Sequence, residues 1–206
     1  MSQSIIEALK SQLSGDTISQ IASQVGVSPQ QAQSAVGVAL PTLVAALAGN
    51  ASDSSGASAL AGALSRDHQN TNVSGLLGSI GTLASSGAGA AILGHVLGGK
   101  QSAAQQEIGQ KTGMNPQQIA GILAILAPIV MGYLGNRQKQ EGLDAGGLQQ
   151  MLSQEKQVAE KEIAGAGLGG LLGSLLGGAG GGGQKDMKQE LLGQGLKALG
   201  GFLNRK

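Results

Sequence analysis

The chain has 206 residues, a net charge of +1, 37 glycines, one tyrosine, one phenylalanine, and neither cysteine nor tryptophan. A charge this small gives no whole-chain attraction to nucleic acid, and the lack of cysteine excludes disulfides and thiolate metal sites. The length suits one or two domains, whose cores must be built from Ala, Leu, Ile, Val and Met, with close backbone approach at Gly and Ala replacing aromatic volume.

Residues 4–13 predict a short amphipathic helix, with Ile5, Ile6, Leu9 and Leu13 on one face, Glu7 in its first turn and Gly15 as its stop. Asp16 or Thr17 is the expected cap of a second helix, whose apolar positions are Ile18, Ile21, Ala22 and Val25. Gly26 suits a left-handed helix end. Ser28 caps a third helix with Pro29 at its first position, where a missing N–H costs nothing. Pro41 then kinks or splits that helix, because it removes one backbone bond and clashes with the preceding turn. Residues 50–56 and 66–72 read as polar loops, with a helix over 57–64 between them.

Residues 75–99 are rich in Gly, Leu and Ala, and 165–178 echo them; such segments are marginal helices unless closely packed, since an interior glycine costs about 0.5–1 kcal/mol against alanine. The longest apolar run, 119–134, is broken by Pro128. A spanning helix needs about 20 residues, so a buried core helix is expected. Residues 154–163 read as a charged helix, 177–183 as a flexible linker and 185–202 as a basic amphipathic helix. Its apolar face is Leu191, Leu192, Leu196, Leu199 and Phe202. The first 16 residues have no basic segment ahead of an apolar one, so no secretory signal is expected, and a cytoplasmic location follows.

The stretch 18–49 recurs at 105–136, displaced by 87 positions. Gly26 falls on Gly113, Pro29 on Pro116 and Pro41 on Pro128, with Gln30-Gln31 on Gln117-Gln118. A weaker match continues, Ala57, Leu60 and Leu64 falling on Ala145, Leu148 and Leu152. The expected fold is therefore all-α, with two related multi-helix units containing helix-turn-helix-like (homeodomain-like) elements. The organisation is 1–100 for the first unit with its Gly/Leu segment, 101–164 for the second, 165–184 for a Gly-rich segment and linker, and 185–206 for the terminal helix.

Several motifs carry a family resemblance: Gly-Met-Asn-Pro at 113–116, Leu-Ala-Pro at 126–128, Gly-Tyr-Leu-Gly at 132–135, and Ile-Leu-Gly-His-Val-Leu-Gly-Gly at 92–99. Through them the chain resembles the YidB-like family of bacterial proteins of unknown function, over about residues 75–152. The resemblance implies an all-α fold of small helices and an uncharacterised or non-enzymatic role, and it supplies no catalytic residues.

The residues offer five chemical readings. A DNA reader would place Gln30, Gln31 and Gln33 on base edges, but no Arg or Lys lies between Ser11 and Ser65 to meet phosphates, so a packing motif is favoured. His95 lacks the further ligands a metal needs, and reads as a polar contact between helices. Gly165, Gly167 and Gly170 spell a dinucleotide motif outside the strand-turn-helix context it requires. Glycines at 87, 94 and 98, and at 165, 169 and 173, suggest helices packed backbone to backbone, with leucines opposite them left for a second copy or a partner. The 185–206 helix suits a membrane surface or a partner groove. The expectation is a non-enzymatic structural or interaction protein, self-associating or binding another protein, with no cofactor, catalytic residue, metal or small-molecule substrate inferred. Nucleic-acid regulation and peripheral membrane association are the alternatives.

Overall fold

A computed structural model describes residues 4–176 other than 14, 69, 70 and 86. The chain divides at 176/177, and the described residues all belong to the first unit. The expected linker and terminal helix, with Leu191, Leu192, Leu196, Leu199 and Phe202, lie outside the described residues. The expected boundary at 100/101 falls inside the first unit.

Every regular element among the described residues is helical. Helix α1 spans Ile5–Gln12, with the Ser4 hydroxyl accepting from the Ile6 N–H at its start. Helix α2 spans Gly15–Val25. It begins at Gly15, ahead of both expected caps, so Asp16 sits in its first turn and Thr17 is buried there. Helix α3 spans Pro29–Asn50 and α4 spans Ser54–Ala63, the latter capped by Asp53 accepting from Gly56 N–H at 2.8 Å. A π-helical turn, Leu64–His68, follows directly. Part of the expected polar loop at 66–72 is therefore helical, because Leu64 is fully buried and draws the chain onto the core.

Three short helices come next: α5 Val73–Leu77, α6 Ile80–Ser85 and α7 Ala88–Val96. Helix α8 spans Gln101–Thr112 and α9 spans Pro116–Glu141. Helix α10 spans Ala145–Gly165, longer than the charged segment expected, and α11 spans Gly169–Leu176.

Pro41 and Pro128 sit inside single continuous helices and split neither. Tertiary burial outweighs the lost backbone bond: both prolines are buried, as is every residue from 38 to 48 and from 125 to 132. The Thr42 hydroxyl adds a donor to the disturbed turn, reaching Val38 O at 2.8 Å. A helix apolar all round belongs in a core, and α3 and α9 pack together at the centre of this one. Both are long and apolar enough to cross a membrane, yet 78% and 72% of their apolar windows are buried by the unit itself.

The flanking helices cross over. Helix α10 packs on α3, while α4 and the π-turn pack with α10 and α9 respectively. Buried Gln138 of α9 donates to Ala61 O of α4 at 3.4 Å. Helix α1 is tied to α10 by Ser4 donating to Glu155 at 2.9 Å and by the Lys10–Glu162 ion pair at 2.6 Å.

Close backbone approaches occur at other glycines than the sequence suggested. A Cβ on Gly89 would lie 1.9 Å from Ala124 O, bringing α7 hard against α9. One on Gly135 would lie 2.6 Å from the His68 backbone. Gly94, Gly165, Gly169 and Gly173 have nothing within 4 Å, and Gly87 and Gly98 serve left-handed turns. The leucines are the buried side: Leu93 and Leu97 near α7, and Leu168, Leu171 and Leu175 near α11. The expected arrangement, with glycines packed and leucines left over, is thus inverted, because the core is where leucine burial gains most.

Candidate functional site

The character of α9 changes at Gly132. Upstream it is apolar on all sides; downstream, Tyr133, Asn136, Arg137, Gln140 and Glu141 recur at i, i+3, i+4, i+7 and i+8, which places them on one face. Leu134, Gly135 and Gln138 turn inward and hold that face in position. The opposite wall comes from Gln12 at the end of α1, the residues 71–74, and Leu77 of α5. Between them lies a cleft of about 780 Å³.

Local contacts fix the walls. Gly132 lets Thr71 approach, since a Cβ there would lie 2.7 Å from Thr71 Cγ2. One residue-turn on, the Asn136 amide donates to Thr71 O at 2.7 Å. Asn72 Oδ1 accepts from Gly75 N–H at 3.0 Å and so starts α5. Arg137 Nε donates to Glu141 Oε1 at 2.8 Å, and the Arg137 side chain is 16% exposed. Burial works against the Arg137 charge, but the hydrogen bond to Glu141 and the nearby Glu141, Tyr133 and Glu155 outweigh it and raise its pKa.

Arg137 and Glu141 are the charged groups of the lining, and they pair. The remaining polar groups are amides, hydroxyls and the phenol of Tyr133. No histidine or second carboxylate lines the cleft to activate Ser74 or Thr71. Among the described residues no cluster of three His, Cys, Asp or Glu could hold a metal. His68 lies outside the lining; burial lowers its pKa, and Asp67 offsets part of the shift.

The residues expected from sequence mostly serve turns. Gly26 and Gly113 both adopt φ of 70°. After each, an N–H reaches back five residues: Val27 to Ala22 O at 3.0 Å and Met114 to Gly109 O at 2.9 Å. Pro29 and Pro116 occupy the first helical position. Gln31 is consumed by a capping box, its Oε1 accepting from Ser28 N–H at 3.2 Å while Ser28 Oγ accepts from Gln31 N–H at 3.2 Å. Asn115 and Gln118 repeat the arrangement at 3.0 and 2.9 Å. Gln30 is exposed.

Helix α3 is a poor recognition helix in this setting. Beyond Gln33 and Ser34 it enters the core, so before its end at Gly49 and Asn50 it is chiefly the first two turns that reach solvent. The N-terminus of α9 abuts the first turn, with Gln118 Nε2 donating to Gly26 O at 3.4 Å and Gly121 packed under Val25. The imidazole of His95 is exposed, and it is the His95 backbone carbonyl that joins helices. Asn50 Nδ2 donates to it at 3.3 Å and to Val96 O at 2.9 Å, tying the end of α3 to the end of α7.

The Tyr133 face escaped sequence reasoning because the 119–134 apolar run hid its start. The i, i+3, i+4, i+7, i+8 spacing was the signal that marks it.

Fold and cleft together define an all-α domain built on two central proline-containing helices, with one polar cleft where the second leaves the core. A family described as bacterial protein of unknown function (DUF937) matches residues 7–137, and the chain belongs to that family. The match takes in α2 to α8 and most of α9, including Tyr133, Asn136 and Arg137. It starts well upstream of the motif-based resemblance, which began near residue 75. No curated protein and no solved structure matches the chain.

Proposed function

We propose that the protein acts by binding and not by catalysis, with the Tyr133 cleft as its contact site. The observation that carries this reading is the composition of the lining: hydrogen-bonding amides and hydroxyls, one aromatic ring, the aliphatic Val73 and Leu77 and a self-neutralised ion pair, without a nucleophile–base pair. A pocket of this kind orients a ligand through a few placed polar groups. Two further parts of the reading rest on matched motifs. The paired turns at Gly26 and Gly113, with equal φ and equal capping boxes, support two related units within one body. The motif at 92–99, which the Asn50 amide clasps, supports YidB-like proteins as the nearer relatives within the family.

The test is a fragment screen by NMR on the full chain. Hits are expected to shift resonances of Tyr133, Asn72 and Gln140. Hits that gather at Gln30, Gln33 and Ser34 instead, with the cleft unmoved, would overturn the reading in favour of the helix-turn-helix face.

Self-association stands as a second reading, supported by the exposed glycine edges of α7 and α11. It would run through those edges, since the leucines are spent in the core. Sedimentation velocity across a wide concentration range checks it: a mass that doubles on concentration, and a Gly94→Arg variant that stays monomeric, are the expected results.

A further inference from the structure

We infer that the Tyr133 cleft takes a neutral, hydroxyl-rich ligand, specifically a short uncharged oligosaccharide; this rests on the binding reading above. Three observations converge on that class. First, the cleft has no net charge to offer: Arg137 is matched by Glu141 at 2.8 Å. An anion would have to displace Glu141 from a guanidinium it already holds, and a cation would meet Arg137. Second, the lining carries more hydrogen-bonding groups than the fold uses. Gln12, Ser74 and Gln140 line the cleft, and their side chains make no hydrogen bond to another described residue. A glutamine side chain offers one carbonyl acceptor and two N–H donors in a plane, which suits adjacent ring hydroxyls that each donate and accept. Third, Tyr133 places a half-buried aromatic ring in the lining, together with the aliphatic Val73 and Leu77. The axial C–H groups of a sugar ring are weakly positive and apolar, and they stack on the electron-rich face of such a ring.

Competing ligand classes fit less well. An apolar ligand would leave the amides unpaired on a dried surface, which costs about 1–3 kcal/mol for each group. A peptide that binds by strand addition needs a sheet edge, and there is no strand among the described residues. A nucleic acid needs cations on phosphates, and the single lining cation is spent on Glu141.

The chain itself supplies the probe. Tyr133 is its only tyrosine and tryptophan is absent, so intrinsic emission reports the cleft. The full chain is titrated with maltotriose, cellotriose and triacetylchitotriose, which differ in linkage and in N-acetylation. A saturable change in Tyr133 emission with at least one of them is expected. Gln12→Ala and Gln140→Ala, both at exposed positions, should each weaken that binding about three- to tenfold, the loss of one hydrogen bond. Overturning results are a flat signal with all three sugars, or binding unaffected by either substitution. A flat sugar titration beside cleft-localised fragment hits removes the ligand class and keeps the binding reading. Fragment hits elsewhere remove both.

Discussion

Helices α3 and α9 start alike and finish differently. Each opens with proline in its first position behind a capping box, and each carries a second proline twelve residues on. Each is sealed into the core around that proline. The difference begins near their ends. Where α3 has Ala45 and Ala48, α9 has Gly132 and Gly135, displaced by the same 87 positions. Helix α3 packs on α10, and α9 at those glycines meets Thr71 and the backbone of the π-turn. The positions of Tyr133, Asn136 and Arg137 are held in α3 by Ala46, Gly49 and Asn50. Helix α3 stops at Asn50, while α9 runs on to Glu141 and closes on Gly142 with φ of 62°. The shared beginnings build architecture, and the unshared ending of α9 carries the cleft.

The most severe test of that contrast is a swap at the divergent glycine. Gly135→Ala places a Cβ 2.6 Å from the His68 backbone. Overpacking against backbone typically costs about 1–3 kcal/mol, partly relieved by better helix propensity. The reverse change in α3, Ala48→Gly, loses propensity and little else, about 1 kcal/mol. Urea denaturation of both variants measures the difference; equal losses would erase the distinction between the two helix ends.

The turns should behave in the opposite way, as equals. Gly26→Ala and Gly113→Ala each force a side chain into φ of 70° with open space around it. Each should lose about 1 kcal/mol. A gap between them larger than that loss would mean the two turns are held by different contacts.

A smaller asymmetry is expected one turn on. Gln31→Ala removes a capping-box contact, about 0.5–1 kcal/mol. Gln118→Ala removes the same contact together with its bond to Gly26 O, so it should cost up to about 1 kcal/mol more. Thermal melts of the two single variants decide whether the turns truly touch.

The least effect is set by pH. Burial depresses the pKa of His68 below its unfolded value of 6.5. The unfolded chain then binds the proton first, so stability is full above about pH 6.5 and falls as acid approaches the lowered folded value. Denaturation midpoints across that window should drop, and His68→Gln should flatten the drop.

The helix starts and turns were legible because their chemistry is local. A left-handed glycine, a cap and a first-position proline act within a few residues, so Gly26, Ser28 and Pro29 announce them in any context. The α2 start was misjudged for a related reason: Thr17 has cap chemistry, but burial took it into the helix. The glycine edges were misread because spacing shows which residues share a face and not what that face meets. Gly89 and Gly94 look equivalent in the sequence; one lies under Ala124 O and the other faces open space.

By itself, then, the amino-acid sequence determined an all-α chain, the two matched turns and the apolar cores of α3 and α9, all of which follow from local backbone preference and hydrophobic periodicity. Tertiary structure decided that the prolines are tolerated, that the leucines turn inward, and that Tyr133 opposes Gln12 and Leu77. Those outcomes join residues far apart in the chain, and they depend on packing between helices whose mutual placement no local preference encodes.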